Sequence, residues 1–368
     1  MAGFRTTVCG QPTLQGHGRV ILANPRGFCA GVDRAIQTVQ TILDADNPRQ
    51  DQGLPPVYVR RQIVHNRHVV EDLSRRGAVF VDELDQIPDQ AVRAGVPVVF
   101  SAHGIAPSVV KEARRRGMRV VDASCPLVSK VHREVQRFVR DGYSIIYIGH
   151  RGHDEAVGVM GEAPDRVHLV EHEADIKALD FGPDTPLVML TQTTLSLDET
   201  ADLAAALRRR FPWMEEPPGS DICYATQNRQ QAVKLVAGQA DCMVVVGSAN
   251  SSNSVRLVEV ARQALETRFP GQGGQRAHRV DDAGELDPTW LQDMDSVGLT
   301  SGASVPEDLV QGVLETLASR GFSQVTRARA VDEHMRFVLP AALRSARATR
   351  KVPQPQGQAQ RSKLSVGG

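Results

Sequence analysis

Long apolar runs are missing from this chain: no stretch reaches the roughly 18 residues that a membrane-spanning helix needs, so no membrane contact is expected. Residues 1–18 also lack the apolar segment of a secretory signal. Cysteine is sparse, at 5 in 368 residues, which excludes a disulfide framework and points to a reducing cytoplasm. Net charge is missing as well. The 43 basic and 43 acidic residues cancel, which removes the global field that would recruit nucleic acid or a membrane surface. Lysine is rare, at 6 of the 43 basic residues. No Gly-x-Gly-x-x-Gly opens a helix, and the Gly271–Gly274 cluster sits in a loop, so no tightly bound flavin or nicotinamide is expected. Ser362-Lys363-Leu364 resembles a peroxisomal address but is not C-terminal, and is set aside.

What is present is enough for a sizeable core. Hydrophobic residues make up 41% of the chain, and 368 residues correspond to two or three domains of ordinary size. Short apolar runs at 20–23, 57–64, 78–81, 96–100, 119–122, 144–148, 187–190, 242–246 and 296–299 read as strands. Between them, helical periodicity covers 33–44, 69–75, 107–116, 129–140, 197–210, 227–238, 255–267 and 307–319. Alternation of this kind predicts an α/β fold of parallel sheets covered by helices.

Three cysteines share one local context. Cys29, Cys125 and Cys223 each precede a helix, and they are separated by 96 and 98 residues. The near-equal intervals predict three similar α/β units around a pseudo-threefold axis, each presenting one thiol. The corresponding boundaries are 19–124, 125–219 and 220–345, the last with a C-terminal arm. A disordered extension, 1–18, and a disordered tail, 346–368, flank them. Cys9 falls in the extension and Cys242 inside an apolar run, so neither is given a role beyond, for Cys242, core packing.

Ligands in parallel α/β sheets bind beyond the carboxyl ends of strands. Here those ends carry His65-Asn66, His103-Gly104, Cys125, His153 with Glu155, Thr193-Thr194, Ser251-Ser252-Asn253 and Ser304. Together they predict one shared cavity walled by imidazole, hydroxyl and amide groups. Such neutral donors can bind phosphate oxygens, and Gly302 and Ala303 would let backbone N–H groups approach an anion. Each cluster also has a plainer use, Ser251–Asn253 as a helix cap and Thr193-Thr194 as turn residues. Three converging thiolates could hold zinc with an open fourth position, or an iron–sulfur cluster with one iron lacking a protein ligand.

The segments ANPRGFCAGVDRAI, VHNRHVVEDL, FSAHG, DASCPLVSKVH, GHRGHDEAVG, TQTTLS, DICYATQNRQQAV, VGSANSSNS and SGAS carry a resemblance. From about Val20 to about Pro340, the chain resembles the LytB family of 4-hydroxy-3-methylbut-2-enyl diphosphate reductases. The resemblance implies a trefoil of three α/β domains around one central [4Fe–4S] cluster held by Cys29, Cys125 and Cys223. It implies reductive removal of the substrate's allylic hydroxyl at the open iron, giving isopentenyl and dimethylallyl diphosphates, with electrons from an external ferredoxin or flavodoxin. By the same resemblance, His65, His103, Ser251, Ser252, Asn253 and Ser304 hold the diphosphate and His153 helps to position it. Glu155 supplies protons, and Thr193 orders the hydroxyl and the relay. The family often has His-Pro-Glu where this chain has His153-Asp154-Glu155. An iron–sulfur dehydratase, needing no reductant, and a non-catalytic iron–sulfur sensor are the alternatives.

Overall fold

A computed structural model of the chain describes residues 18–45, 47, 49–216 and 219–343. The expected tail, Cys9 and all of the expected extension except Gly18 lie outside the described residues. Strand β1 (Arg19–Asn24) leads into helix α1 (Ala30–Leu43). Then come β2 (Val57–Arg60), α2 (Arg67–Arg75), β3 (Ala78–Val81), α3 (Asp89–Arg93), β4 (Pro97–Phe100), α4 (Pro107–Arg115) and β5 (Arg119–Asp122). Next are α5 (Pro126–Arg140), β6 (Ser144–Ile148), α6 (Asp154–Met160), β7 (Val167–Val170), α7 (Glu173–Ala178), β8 (Leu187–Thr191) and α8 (Leu197–Arg210). The last stretch is α9 (Tyr224–Ala237), β9 (Cys242–Val246), α10 (Ser252–Arg268), β10 (Ala277–Val280), β11 (Ser296–Ser301), α11 (Glu307–Ser319) and β12 (Gln324–Arg329).

These strands form three sheets, ordered β3-β2-β4-β5, β7-β6-β8 and β10-β9-β11-β1-β12. Every pairing between named strands is parallel. A parallel sheet is covered on both faces, so its inner strands are apolar without alternation. Every residue of β4, β6, β9 and β11 is buried accordingly, and so is every residue of the edge strand β8. The pleat still divides each strand between two half-cores. Val57 and Val59 face the side of Ala35, Val39 and Leu73, whereas Tyr58 faces Ala91 and Ala113. Met243 and Val245 pack toward α9 and α10, whereas Val244 and Val246 pack toward α11. Each fully buried aliphatic side chain contributes about 1.5–3 kcal/mol. Cys242, 1% exposed, is one of these core residues, as expected.

The strand order departs from the expected division at one point. β1 opens the expected 19–124 unit, yet it pairs with β11 on one side and β12 on the other. Its side chains enter the cores of the third sheet, while α1 covers the first sheet with Ala35, Ile36 and Val39. The chain therefore passes from one lobe to another between Asn24 and Ala30, and Cys29 lies on that passage. β12 is an exposed, Arg-bearing edge strand whose pattern carries no apolar signature. The expected strand at 57–64 ends at Arg60, because Arg61 adopts a left-handed conformation (φ 56°) that breaks the ladder. No helix among the described residues is long and apolar enough to cross a membrane.

Candidate functional site

α1, α5 and α9 start three residues earlier than periodicity suggested, and that places Cys29, Cys125 and Cys223 at their N-caps. At α5 the reason is Pro126, which is at home in a first helical turn. Each cysteine is tied through its backbone N–H to a carbonyl just beyond a strand end. The Cys29 N–H donates to the Ala303 carbonyl at 3.2 Å, Cys125 to Ala102 at 2.9 Å and Cys223 to Thr193 at 3.0 Å. The thiols are free and line one cavity. Gly31 sits between two of them: a Cβ there would lie 2.5 Å from the Cys125 sulfur and 3.9 Å from that of Cys29. Burial pushes the Cys125 thiol up to about 11 and the Cys223 thiol up to about 12, each reinforced by the neighbouring Cys29. Desolvation thus outweighs the helix N-termini, which by themselves favour thiolate.

The second wall of the cavity carries the carboxyl. Beyond the end of β6 the chain turns at once into α6, which begins at Asp154, and Glu155 stands in its first turn with His153 as N-cap. The His153 Nδ1 accepts the Glu155 backbone N–H at 3.2 Å. Glu155 is 1% exposed, and Thr193 holds both of its carboxylate oxygens. The Thr193 N–H donates to its Oε1 at 2.7 Å, and the Thr193 hydroxyl donates to its Oε2 at 3.1 Å. Burial raises the carboxyl to about 7 against the pull of those two hydrogen bonds.

Three imidazoles form the next wall. His65 stacks on His103 with centroids 3.9 Å apart, and His153 meets both edge-on at 5.2 and 5.9 Å. Burial lowers all three, helped by Arg61 at His65 and by the neighbouring imidazoles at His103 and His153; His153 falls to about 4 and His103 well below its ordinary value. His65 Nδ1 and Nε2 and His103 Nε2 are buried without a hydrogen-bond partner among the described residues. The remaining wall comes from the third sheet. Ser251 caps α10, accepting the Ser254 N–H at 3.3 Å, so its plainer use is present too. Ser252 Oγ accepts from the Thr194 hydroxyl at 3.0 Å. Asn253 Oδ1 accepts the Ala303 N–H at 3.0 Å, and the Ser304 hydroxyl donates to the His65 carbonyl at 2.9 Å.

All twelve residues expected at the site line this one cavity. Sequence reasoning assigned no role to Gly31, Thr226, Asp154 or Arg61. Thr226 lies three residues after Cys223, on the same helix face, which is a legible spacing. Asp154 pairs with Arg61 and brings its other oxygen to 3.9 Å from His65 Nε2. No local pattern announces that contact.

A parallel α/β protein that brings three free thiols, a buried acid and a wall of neutral imidazole, hydroxyl and amide groups into one cavity belongs among the enzymes. Residues 20–318 match the model of the LytB protein family, and the chain belongs to that family. It is 66% identical over 329 residues to the 4-hydroxy-3-methylbut-2-enyl diphosphate reductase of Bifidobacterium longum, covering 88% of this chain and 92% of that one. The protein of the same name from Mycolicibacterium paratuberculosis is 52% identical over 345 residues, covering 94% and 97%. The solved E-1-hydroxy-2-methyl-but-2-enyl-4-diphosphate reductase of Plasmodium falciparum superposes with a TM-score of 0.82 at 36% identity, covering 90% of this chain and 99% of that one.

Proposed function

We propose that this chain reduces (E)-4-hydroxy-3-methylbut-2-enyl diphosphate to isopentenyl and dimethylallyl diphosphates, closing the methylerythritol phosphate route to isoprenoids. The observation that carries this reading is the single cavity shared by three thiols, a buried carboxyl and a wall of imidazole, hydroxyl and amide groups. The names of the relatives supply the substrate.

The donor set fits a [4Fe–4S] cluster held by Cys29, Cys125 and Cys223. Gly31 carries no Cβ, which would stand 2.5 Å from the Cys125 sulfur and force that thiol to shift. No group of three or more His, Cys, Asp or Glu among the described residues is arranged to hold a metal ion. Zinc needs its ligands to meet at one point, whereas the ligands of a cluster bind separate irons. When bound, such a cluster supplies electrons and a Lewis-acid position at the iron without a protein ligand.

The chain's own residues do the rest. His65, His103, Ser251, Ser252, Asn253 and Ser304 take the diphosphate, and His153 positions it while capping α6. Glu155, near neutrality in its proton affinity, is suited to general-acid work. When it is protonated, its O–H can donate to Thr193 Oγ1, which frees the threonine hydroxyl hydrogen to turn into the cavity. Overall, two electrons and two protons enter and one water leaves. Electrons come from an external ferredoxin or flavodoxin. Free thiols throughout the described residues suit a reducing cytoplasm.

The test is anaerobic purification, iron and sulfide analysis, and a reductase assay with a chemical reductant. Four irons per chain and reductant-dependent release of both products are expected. Turnover without a reductant would replace this reading with a dehydratase, and failure to bind any diphosphate would leave only a sensor.

A further inference from the structure

The cavity must accept a polyanion, yet among the described residues none of its lining side chains is a lysine or an arginine. An organic diphosphate carries about three negative charges near neutrality. Four helices of eight or more residues begin at the wall, and α1, α5 and α9 spend their N-termini on cysteines. That leaves α10, worth about half a positive charge. Hydroxyls and amides add dipoles without charge. The groups in the wall able to become cationic are His65, His103 and His153.

One of the three is provided for. His65 Nε2 faces Asp154 at 3.9 Å, and Asp154 is in turn paired with Arg61. His65 Nδ1 is buried and without a hydrogen-bond partner. The titratable and charged groups around this ring are Asp154 at the start of α6, Arg61 after β2, and the imidazoles of His103 and His153. Before a ligand arrives, burial and Arg61 keep the ring neutral despite Asp154.

Given the diphosphate function proposed above, we infer that the anion enters together with a proton taken up at His65, and that Asp154 is the positioning residue that holds the resulting imidazolium. The step balances simply. An N–H bond forms at Nδ1, the proton comes from a buffer acid, no bond of the diphosphate breaks and no electron moves. The attraction of the anion for this new cation replaces the fixed lysine or arginine that the wall lacks. Binding therefore weakens as pH rises, by up to about tenfold per pH unit for one linked proton.

Titration calorimetry of the holoenzyme with dimethylallyl diphosphate, at pH 7.5 in buffers of different ionisation enthalpy, counts the protons. Glu155 is the one carboxylate in the wall, so the count is made in Glu155→Gln enzyme to remove its share. About one proton per diphosphate is expected. Adding Asp154→Asn should lower the count and displace the affinity profile toward acid, and adding His65→Gln should abolish it. Binding without proton uptake in the Glu155→Gln enzyme, which requires no change at His65, overturns the idea. An undiminished count in the His65→Gln double variant overturns it equally. Absence of any binding would instead strike at the diphosphate function itself.

Discussion

Replacing Glu155 with Gln separates the chemical role of the carboxyl from its structural role. The geometry tolerates the change. The Gln Oε1 can still accept the Thr193 N–H, and its amide can donate to Thr193 Oγ1, since a hydroxyl can reverse its sense. What disappears is the transferable proton. Loss of a general acid costs two to four orders of magnitude in turnover, or about 3–5 kcal/mol of barrier, with substrate affinity nearly retained. The wild-type rate should fall about tenfold per pH unit above about 7, where Glu155 ionises, and this alkaline limb should be absent from the variant. The same carboxyl predicts a stability difference. A group raised from 4.5 to about 7 contributes its full share below 4.5 and loses it as pH climbs through 7. That share is about 3 kcal/mol for this fully buried side chain. Between pH 4.5 and 8 the variant should therefore gain about 3 kcal/mol on the wild type in denaturant unfolding of the anaerobic holoenzyme. Wild-type turnover in the variant under a saturating reductant, or an unchanged alkaline limb, would refute the assignment.

Cys29→Ser, Cys125→Ser and Cys223→Ser should each abolish cluster binding or activity by iron analysis and assay, because a hydroxyl is a poor ligand for iron–sulfur centres. Cys242→Ser should keep full iron content and lose about 1–3 kcal/mol of stability, since it buries a hydroxyl in an apolar core; a loss of iron there would misplace the ligand set. Gly31→Ala should lower iron content while the far-ultraviolet dichroism stays normal, because the new methyl would stand 2.5 Å from the Cys125 sulfur. Asn253→Ala should weaken diphosphate binding by about 1–3 kcal/mol in calorimetry, through the lost ligand contact and the orphaned Ala303 N–H, and unchanged affinity would remove Asn253 from the anion site.

Much of this molecule is legible in its sequence because its signals are local. β3, β5, β6, β9, α8 and α11 fall on the boundaries that their patterns predict; for β6 and β9 the reason is that a strand buried on both faces must be an unbroken apolar run. β7, β10 and the edge strand β12 escape the same reasoning, because polar residues interrupt their apolar ones: His168 in β7, His278 and Arg279 in β10, and Thr326, Arg327 and Arg329 in β12. Cysteine spacing foretells three thiols in equivalent places, since each stands as the N-cap of a helix. The polar strand ends foretell one cavity, because parallel strands deliver their carboxyl ends to the same side.

Tertiary structure alone decided the pairings. β1 could have joined the sheet nearest in sequence, but it lies between β11 and β12, some 300 residues away, because backbone pairing depends on layer packing and not on chain proximity. The Glu155–Thr193 pair spans 38 residues and two strands of one sheet, so neither residue's neighbours disclose it. Asp154 has no meaning in its own segment. It acquires one because Arg61, turned out of β2 by a left-handed backbone, and His65 meet it across the boundary between two sheets. Sequence specifies which chemical groups stand at the strand ends, and packing of the three sheets specifies which of them share a proton, a charge or a ligand.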